Sequence, residues 1–177
     1  HTFGGHGIYV YGTESTNNTI TYNYIGIDAT GTYTVGLGGG CDVDGYCGGV
    51  DDGIALYKGA SNNVVQYNVI GGTTRHGVYV SGDQSSGGCD DNVIRDNYIG
   101  TNEAGADLGN KQAGVRVRRG SQDNIVRDNY IDYNGYYGVY LGDDHQEYQN
   151  NTGIDTQGNS VIDNVIRYNK GRGDWPA

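Results

Sequence analysis

The sequence predicts an all-β chain wound as a right-handed parallel β-helix of about five coils, and three observations predict it. The first is a glycine followed by alternating apolar residues, five times over: Gly7-Ile8-Tyr9-Val10, Gly53-Ile54-Ala55-Leu56, Gly77-Val78-Tyr79-Val80, Gly114-Val115-Arg116-Val117 and Gly138-Val139-Tyr140-Leu141. The second is a unit after each of these, two asparagines five residues apart with isoleucine or valine between: Asn18/Ile20/Asn23, Asn63/Val65/Asn68, Asn92/Ile94/Asn97, Asn124/Val126/Asn129 and Asn164/Ile166/Asn169. The third is composition: 33 glycines, one proline, no methionine and one phenylalanine leave little for a helix-packed core, whereas 17 tyrosines with valine and isoleucine suit pleated strands.

Each element follows from these patterns. Period-2 alternation places Ile8 and Val10, then Ile54 and Leu56, Val78 and Val80, Val115 and Val117, and Val139 and Leu141 on one face of the first strand, so stacked coils build one interior column. No helical spacing persists between the glycines and asparagines. The asparagines fall where one strand bends into the next. Asparagine tolerates the left-handed conformation, and its amide can bond the equivalent amide one coil on, so a ladder inside the stack is expected. Loop insertions are expected at about 26–52, 83–91, 100–112 and 143–159 within a single domain spanning 1–177.

The asparagine-isoleucine pattern and the Gly-Val-Tyr-Val strands resemble the right-handed parallel β-helix repeat proteins of the pectate-lyase-like superfamily. Ile25-Gly26-Ile27-Asp28-Ala29-Thr30-Gly31-Thr32, echoed by Ile99-Gly100-Thr101-Asn102-Glu103-Ala104-Gly105-Ala106, resembles a loop of secreted bacterial members. The resemblance implies the fold over nearly the whole chain. It leaves function open, because that superfamily holds lyases, hydrolases, epimerases, tailspikes and adhesins.

Charge narrows the partners. With 21 acidic against 11 basic side chains the net charge is −10, which disfavours nucleic acid. No apolar run is long enough for a membrane span. The chain opens at His1 without a leader pattern and reads as a trimmed, exported product, expected in a secreted or cell-surface location. Cys41 and Cys47, close together in a glycine-rich loop, allow a disulfide, with Cys89 left over or competing for one of them.

Candidate sites divide by chemistry. Outward positions give two tyrosine stripes, Tyr9, Tyr79 and Tyr140 on the first strand and Tyr24, Tyr98 and Tyr130 on the third, suited to sugar rings or another protein surface. Arg116, Arg118 and Arg119 cluster on coil 4, and the resemblance implies that a lyase would use an arginine base beside calcium. Gly5-His6-Gly7 and Asp51-Asp52 resemble short polygalacturonase motifs in reversed order, and Asp143-Asp144-His145 resembles an epimerase signature. Were the chain an enzyme, Arg116, Arg118, Asp143, Asp144 and His145 would carry the chemistry. Asp42, Asp44, Asp51 and Asp52 supply oxygen ligands suited to calcium.

Two readings follow. The favoured one is a non-enzymatic extracellular structural or adhesive module that contacts carbohydrate or copies of itself, with Phe3 or Trp175 at a fibre junction and no cofactor beyond calcium. The alternative is a carbohydrate-active enzyme on an acidic polysaccharide, or a tailspike-like glycan-binding fragment.

Overall fold

The computed structural model describes residues 5–35, 51–83, 85–143 and 155–171, and the backbone alone of 40–41 and 47–48. Coil 1 contains β1 (Ile8–Tyr11), β2 (Thr19–Thr21) and β3 (Tyr24–Ile25), followed by the short β4 (Gly40–Cys41) and β5 (Cys47–Gly48). Coil 2 contains β6 (Ile54–Tyr57), β7 (Val64–Gln66) and β8 (Val69–Ile70), and coil 3 contains β9 (Val78–Ser81), β10 (Val93–Arg95) and β11 (Tyr98–Ile99). Coil 4 contains β12 (Val115–Arg118), β13 (Ile125–Arg127) and β14 (Tyr130–Asp132), and coil 5 contains β15 (Val139–Leu141), β16 (Ser160–Ile162) and β17 (Val165–Arg167). Like strands of successive coils pair in parallel, giving three five-stranded sheets: β1-β6-β9-β12-β15, β2-β7-β10-β13-β16 and β3-β8-β11-β14-β17.

The register is the one the repeat demands. Ile8 aligns with Ile54, Ile54 with Val78, Val78 with Val115 and Val115 with Val139. The inward residues of the second and third sheets, Val65, Ile94 and Val126 with Ile70, Ile99 and Ile131, close the same core. The strand-start glycines are required by closeness. At Gly77 a Cβ would sit 2.6 Å from Ile99 Cγ2 and 2.7 Å from the Gly114 carbonyl oxygen.

Three ladders bind the turns. In the first, Asn18, Asn63, Asn92 and Asn124 each donate backbone N–H and Nδ2 to the Oδ1 of the next rung, ending at Asn159. The second runs through Asn23, Asn68, Asn97 and Asn129 to Asn164. The third, Thr73, Asn110, Asn134 and Asn169, lies between the third and first sheets. The expected left-handed residue is displaced by one. Positive φ falls on the residue before the rung, as at Asn17, Asn62, Asp96 and Asp128, so the rung itself keeps its side chain aimed along the axis. Four such turns carry tyrosine, and these stack in pairs, Tyr22 on Tyr67 and Tyr133 on Tyr168.

The two related insertions meet. Asn102 in the coil 3 loop donates to the Gly31 carbonyl in the coil 1 loop at 2.8 Å, and Gly72 of the coil between them donates to the Leu108 carbonyl. The ends differ. Ile20 and Ile25 of coil 1 are buried, whereas their coil 5 counterparts Val161 and Ile166 are 41% and 44% exposed. Phe3 and Trp175, expected at a junction, lie outside the described residues.

Candidate functional site

The outer face of the first sheet gathers most of the charged and aromatic candidates. The residue just before each strand-start glycine forms a column: His6, Asp52, His76, Ala113 and Tyr137. Parallel stacking sets these side by side. Asp52 is wholly buried, and its Oδ1 accepts the His76 backbone N–H at 3.1 Å. Its Oδ2 lies 3.3 Å from His6 Nδ1 and 3.5 Å from Arg75 Nη1. His76 Nδ1 in turn accepts the Ala113 N–H at 3.2 Å, so the ring is a neutral acceptor, and burial pushes its pKa down to about 4.

The column packs onto the neighbouring aromatics. His6 stacks on Tyr9 at 4.8 Å, and His76 stacks on Tyr79 at 5.4 Å while the Arg75 guanidinium lies 5.1 Å from the same ring. This corrects one expectation. Tyr79 is only 6% exposed, because Arg75 and His76 from its own turn fold over the ring, and it therefore offers no face to a partner. Tyr9 and Tyr11 remain exposed beside Tyr57, with Lys58 5.5 Å from the Tyr11 ring and paired with Asp83 at 3.2 Å.

At coils 4 and 5 the structure brings Arg116, Arg118 and Asp143 together. Arg116 is buried, stacked 3.6 Å over the Tyr140 ring and donating to the Gly142 carbonyl. Asp143 Oδ1 accepts from the Arg119 backbone N–H at 2.9 Å and faces Arg118 Nε at 3.4 Å, bracketing the two coils. Asp144 and His145 lie outside the described residues.

The third-sheet stripe is open. Tyr24 and Tyr130 are exposed, Tyr98 is half-buried, and Tyr98 and Tyr130 stack at 5.1 Å. Val69 replaces the aromatic between Tyr24 and Tyr98, so the stripe falls into two patches. The exposed Tyr22–Tyr67 stack, at the turn leading into this sheet, extends the lower patch.

Of the acidic loop, Asp42 and Asp44 lie outside the described residues. Asp51 is half-buried, and its main chain bonds Gly5 and Arg75. Asp52 is engaged by cationic and N–H groups as described above. Among the described residues no three histidine, cysteine or acidic side chains are grouped to hold a metal ion. The backbones of Cys41 and Cys47 pair directly opposite one another in an antiparallel bridge. Cys89 is a buried free thiol 3.3 Å from the Ser81 carbonyl, and burial pushes its pKa up to about 11.

Sequence reading singled out His6 and Asp52 as members of separate motifs and passed over Arg75 and His76. The signal was present: His6, Asp52 and His76 all immediately precede a strand-start glycine.

A parallel solenoid with buried asparagine ladders and a polar, aromatic outer face on its first sheet is a β-helix. The family model described as a right-handed beta helix region matches residues 1–152, and the chain belongs to that family. No curated protein and no solved structure matches it. Membership fixes the fold and leaves the activity to the site, since the family includes enzymes.

Proposed function

We propose that this chain is a non-enzymatic extracellular structural or adhesive module that contacts carbohydrate through its exposed tyrosines. The observation that supports this reading is the contrast between the two faces. Tyr22, Tyr24, Tyr67 and Tyr130 are exposed and Tyr98 is half-buried, with Tyr22 stacked on Tyr67 and Tyr98 on Tyr130, whereas Arg116, Arg118, Asp143 and Asp52 are engaged with one another's coils. Ring faces with wet hydroxyls suit the apolar faces of sugars. A net charge of −10 favours a neutral glycan over a polyanionic one.

The second reading, an enzyme on an acidic polysaccharide, draws on the His6–Asp52–Arg75–His76 row and on Arg116 and Arg118. Calorimetric titration of the native chain with cellohexaose and with polygalacturonate separates the two. Binding of the neutral oligosaccharide, weakened at least fivefold in a Tyr24→Ser, Tyr130→Ser double variant, is expected. Release of unsaturated or reducing ends from polygalacturonate would replace the first reading with the second, and binding unaffected by the two substitutions would remove the tyrosine surface from it.

A further inference from the structure

We propose that Tyr22 and Tyr67 form an oxidative cross-linking site, at which a peroxidase using hydrogen peroxide joins the two rings as dityrosine and staples coil 1 to coil 2. The inference is independent of the glycan reading and rests on the placement of the two phenols.

Tyr22 and Tyr67 occupy equivalent turns of adjacent coils, each one residue before a rung of the second ladder, with φ of 57° and 54°. Equal backbone conformation sends both side chains out in the same direction, from main chains one coil spacing, about 4.8 Å, apart. Their ring centroids lie 5.3 Å apart at an interplanar angle of 14°. Tyr22 is 77% exposed and Tyr67 42%, so an oxidant reaches both. The separation exceeds the carbon contact distance of about 3.5–4.0 Å, so the side chains must rotate to bring ring carbons together. Exposed side chains make such rotations freely.

The turn column confines the reaction to this pair. Beyond Tyr67 the same turn position holds Asp96, Asp128 and Asp163, and the Arg95 guanidinium lies 5.8 Å from the Tyr67 ring while pairing with Asp96 at 2.8 Å. The other described cross-coil tyrosine stacks, Tyr9 with Tyr57, Tyr98 with Tyr130 and Tyr133 with Tyr168, each contain a half-buried ring. Burial also raises the Tyr98 phenol above its ordinary value, which disfavours loss of its proton. The sequence has no methionine and one tryptophan, and Cys89 is a buried thiol, so tyrosine is the main reservoir of oxidisable side chains.

The chemistry balances with peroxide as the oxidant. Each phenol gives up one electron and its O–H proton, leaving a phenoxyl radical whose unpaired spin is shared with the carbons ortho to oxygen. One ortho carbon of each ring forms the new C–C bond, and the hydrogen on each bonded carbon moves to that ring's oxygen, restoring both phenols. The two electrons and two protons released reduce one hydrogen peroxide to two water molecules. Radical coupling needs two rings to meet, and holding them as neighbours removes the encounter step.

Tryptic mapping reads the link directly, because Tyr67 is the only tyrosine in 59–75 and Lys58 separates that peptide from Tyr22. The native chain is treated with a haem peroxidase and hydrogen peroxide beside Tyr22→Phe and Tyr67→Phe, which keep the stacked ring and lose the phenol. Circular dichroism melts check that both variants fold. The native chain is expected to gain dityrosine fluorescence and a species joining 59–75 to the peptide ending at Lys58, two hydrogens lighter than their sum. The product is expected at monomer mass, in a yield that does not fall on dilution. Both variants are expected to lose the joined peptide. The linked native chain is expected to melt above oxidised Tyr22→Phe, because the link closes a loop in the unfolded chain. A joined peptide that survives Tyr22→Phe would overturn the proposal, as would linkage confined to multimers. So would a native chain that stays unlinked while added N-acetyltyrosine couples, or a linked chain that melts no higher.

Discussion

Asn97 shows how much one side chain carries in this fold. It is fully buried, accepts the N–H and Nδ2 of Asn68 on Oδ1, and donates to Val65, Arg95 and Asn129. Asn97→Ala strands several of these groups away from water, and at about 1–3 kcal/mol for each unsatisfied group a loss of about 3 kcal/mol is expected in urea unfolding. His76 adds a pH dependence of definite sign. Burial holds it at about 4 in the folded chain against its ordinary 6.5, opposed by Asp52 and reinforced by Arg75, Arg116 and Arg118. The unfolded chain therefore binds the extra proton between those values. Stability from this residue is complete above pH 6.5 and falls by about 3 kcal/mol as the pH drops toward 4. His76→Gln, which keeps an acceptor for the Ala113 N–H, is expected to flatten that segment of a melting-temperature profile between pH 4 and 7.

At the scale of one strand, β9 sits in the middle of the first sheet, paired with β6 and β12, with Val78 and Val80 wholly buried. Val78→Asp would bring an unpaired carboxylate into this dry column, at a cost that exceeds the stability of a domain of this size. The variant is expected to be unfolded by circular dichroism at neutral pH, and an unchanged melting curve would reject the register. The turns have a different economy. Eleven of them place a non-glycine residue at positive φ just before a ladder rung, six of these being aspartate or asparagine before buried or half-buried asparagine, which reconciles a sharp bend with a side chain aimed along the axis.

Over the whole molecule, stability is graded along the axis. Apart from the loop contact of Asn102 with Gly31, the strands of each coil pair only with those of adjacent coils, so an interior coil is held from both sides. Coil 5, with Val161, Ile162, Val165 and Ile166 exposed, is expected to open first. Native-state hydrogen exchange should find the amides of β16 and β17 exchanging orders of magnitude faster than those of β9 and β10. Equal protection of the two groups of amides would contradict this gradient.

The sequence by itself determined the coil. The strand-start glycines, the inward alternation and the paired asparagines recur because stacked coils impose the same local environment five times, and repetition makes local chemistry legible. The ladder was readable for that reason, although the left-handed residue lies one position earlier than asparagine propensity suggests. Tertiary structure alone decided what the coils bring together. His6 and Asp52 meet because an insertion of any length leaves the register of the next coil unchanged, so their separation in sequence carries no information about their distance. Tyr79 is buried and Tyr24 exposed although both occupy outward strand positions, because Arg75 and His76 cover the first ring and the third sheet has no such cover. The contrast between buried Ile20 and Ile25 and exposed Val161 and Ile166 arises from packing across coils, which no single repeat contains.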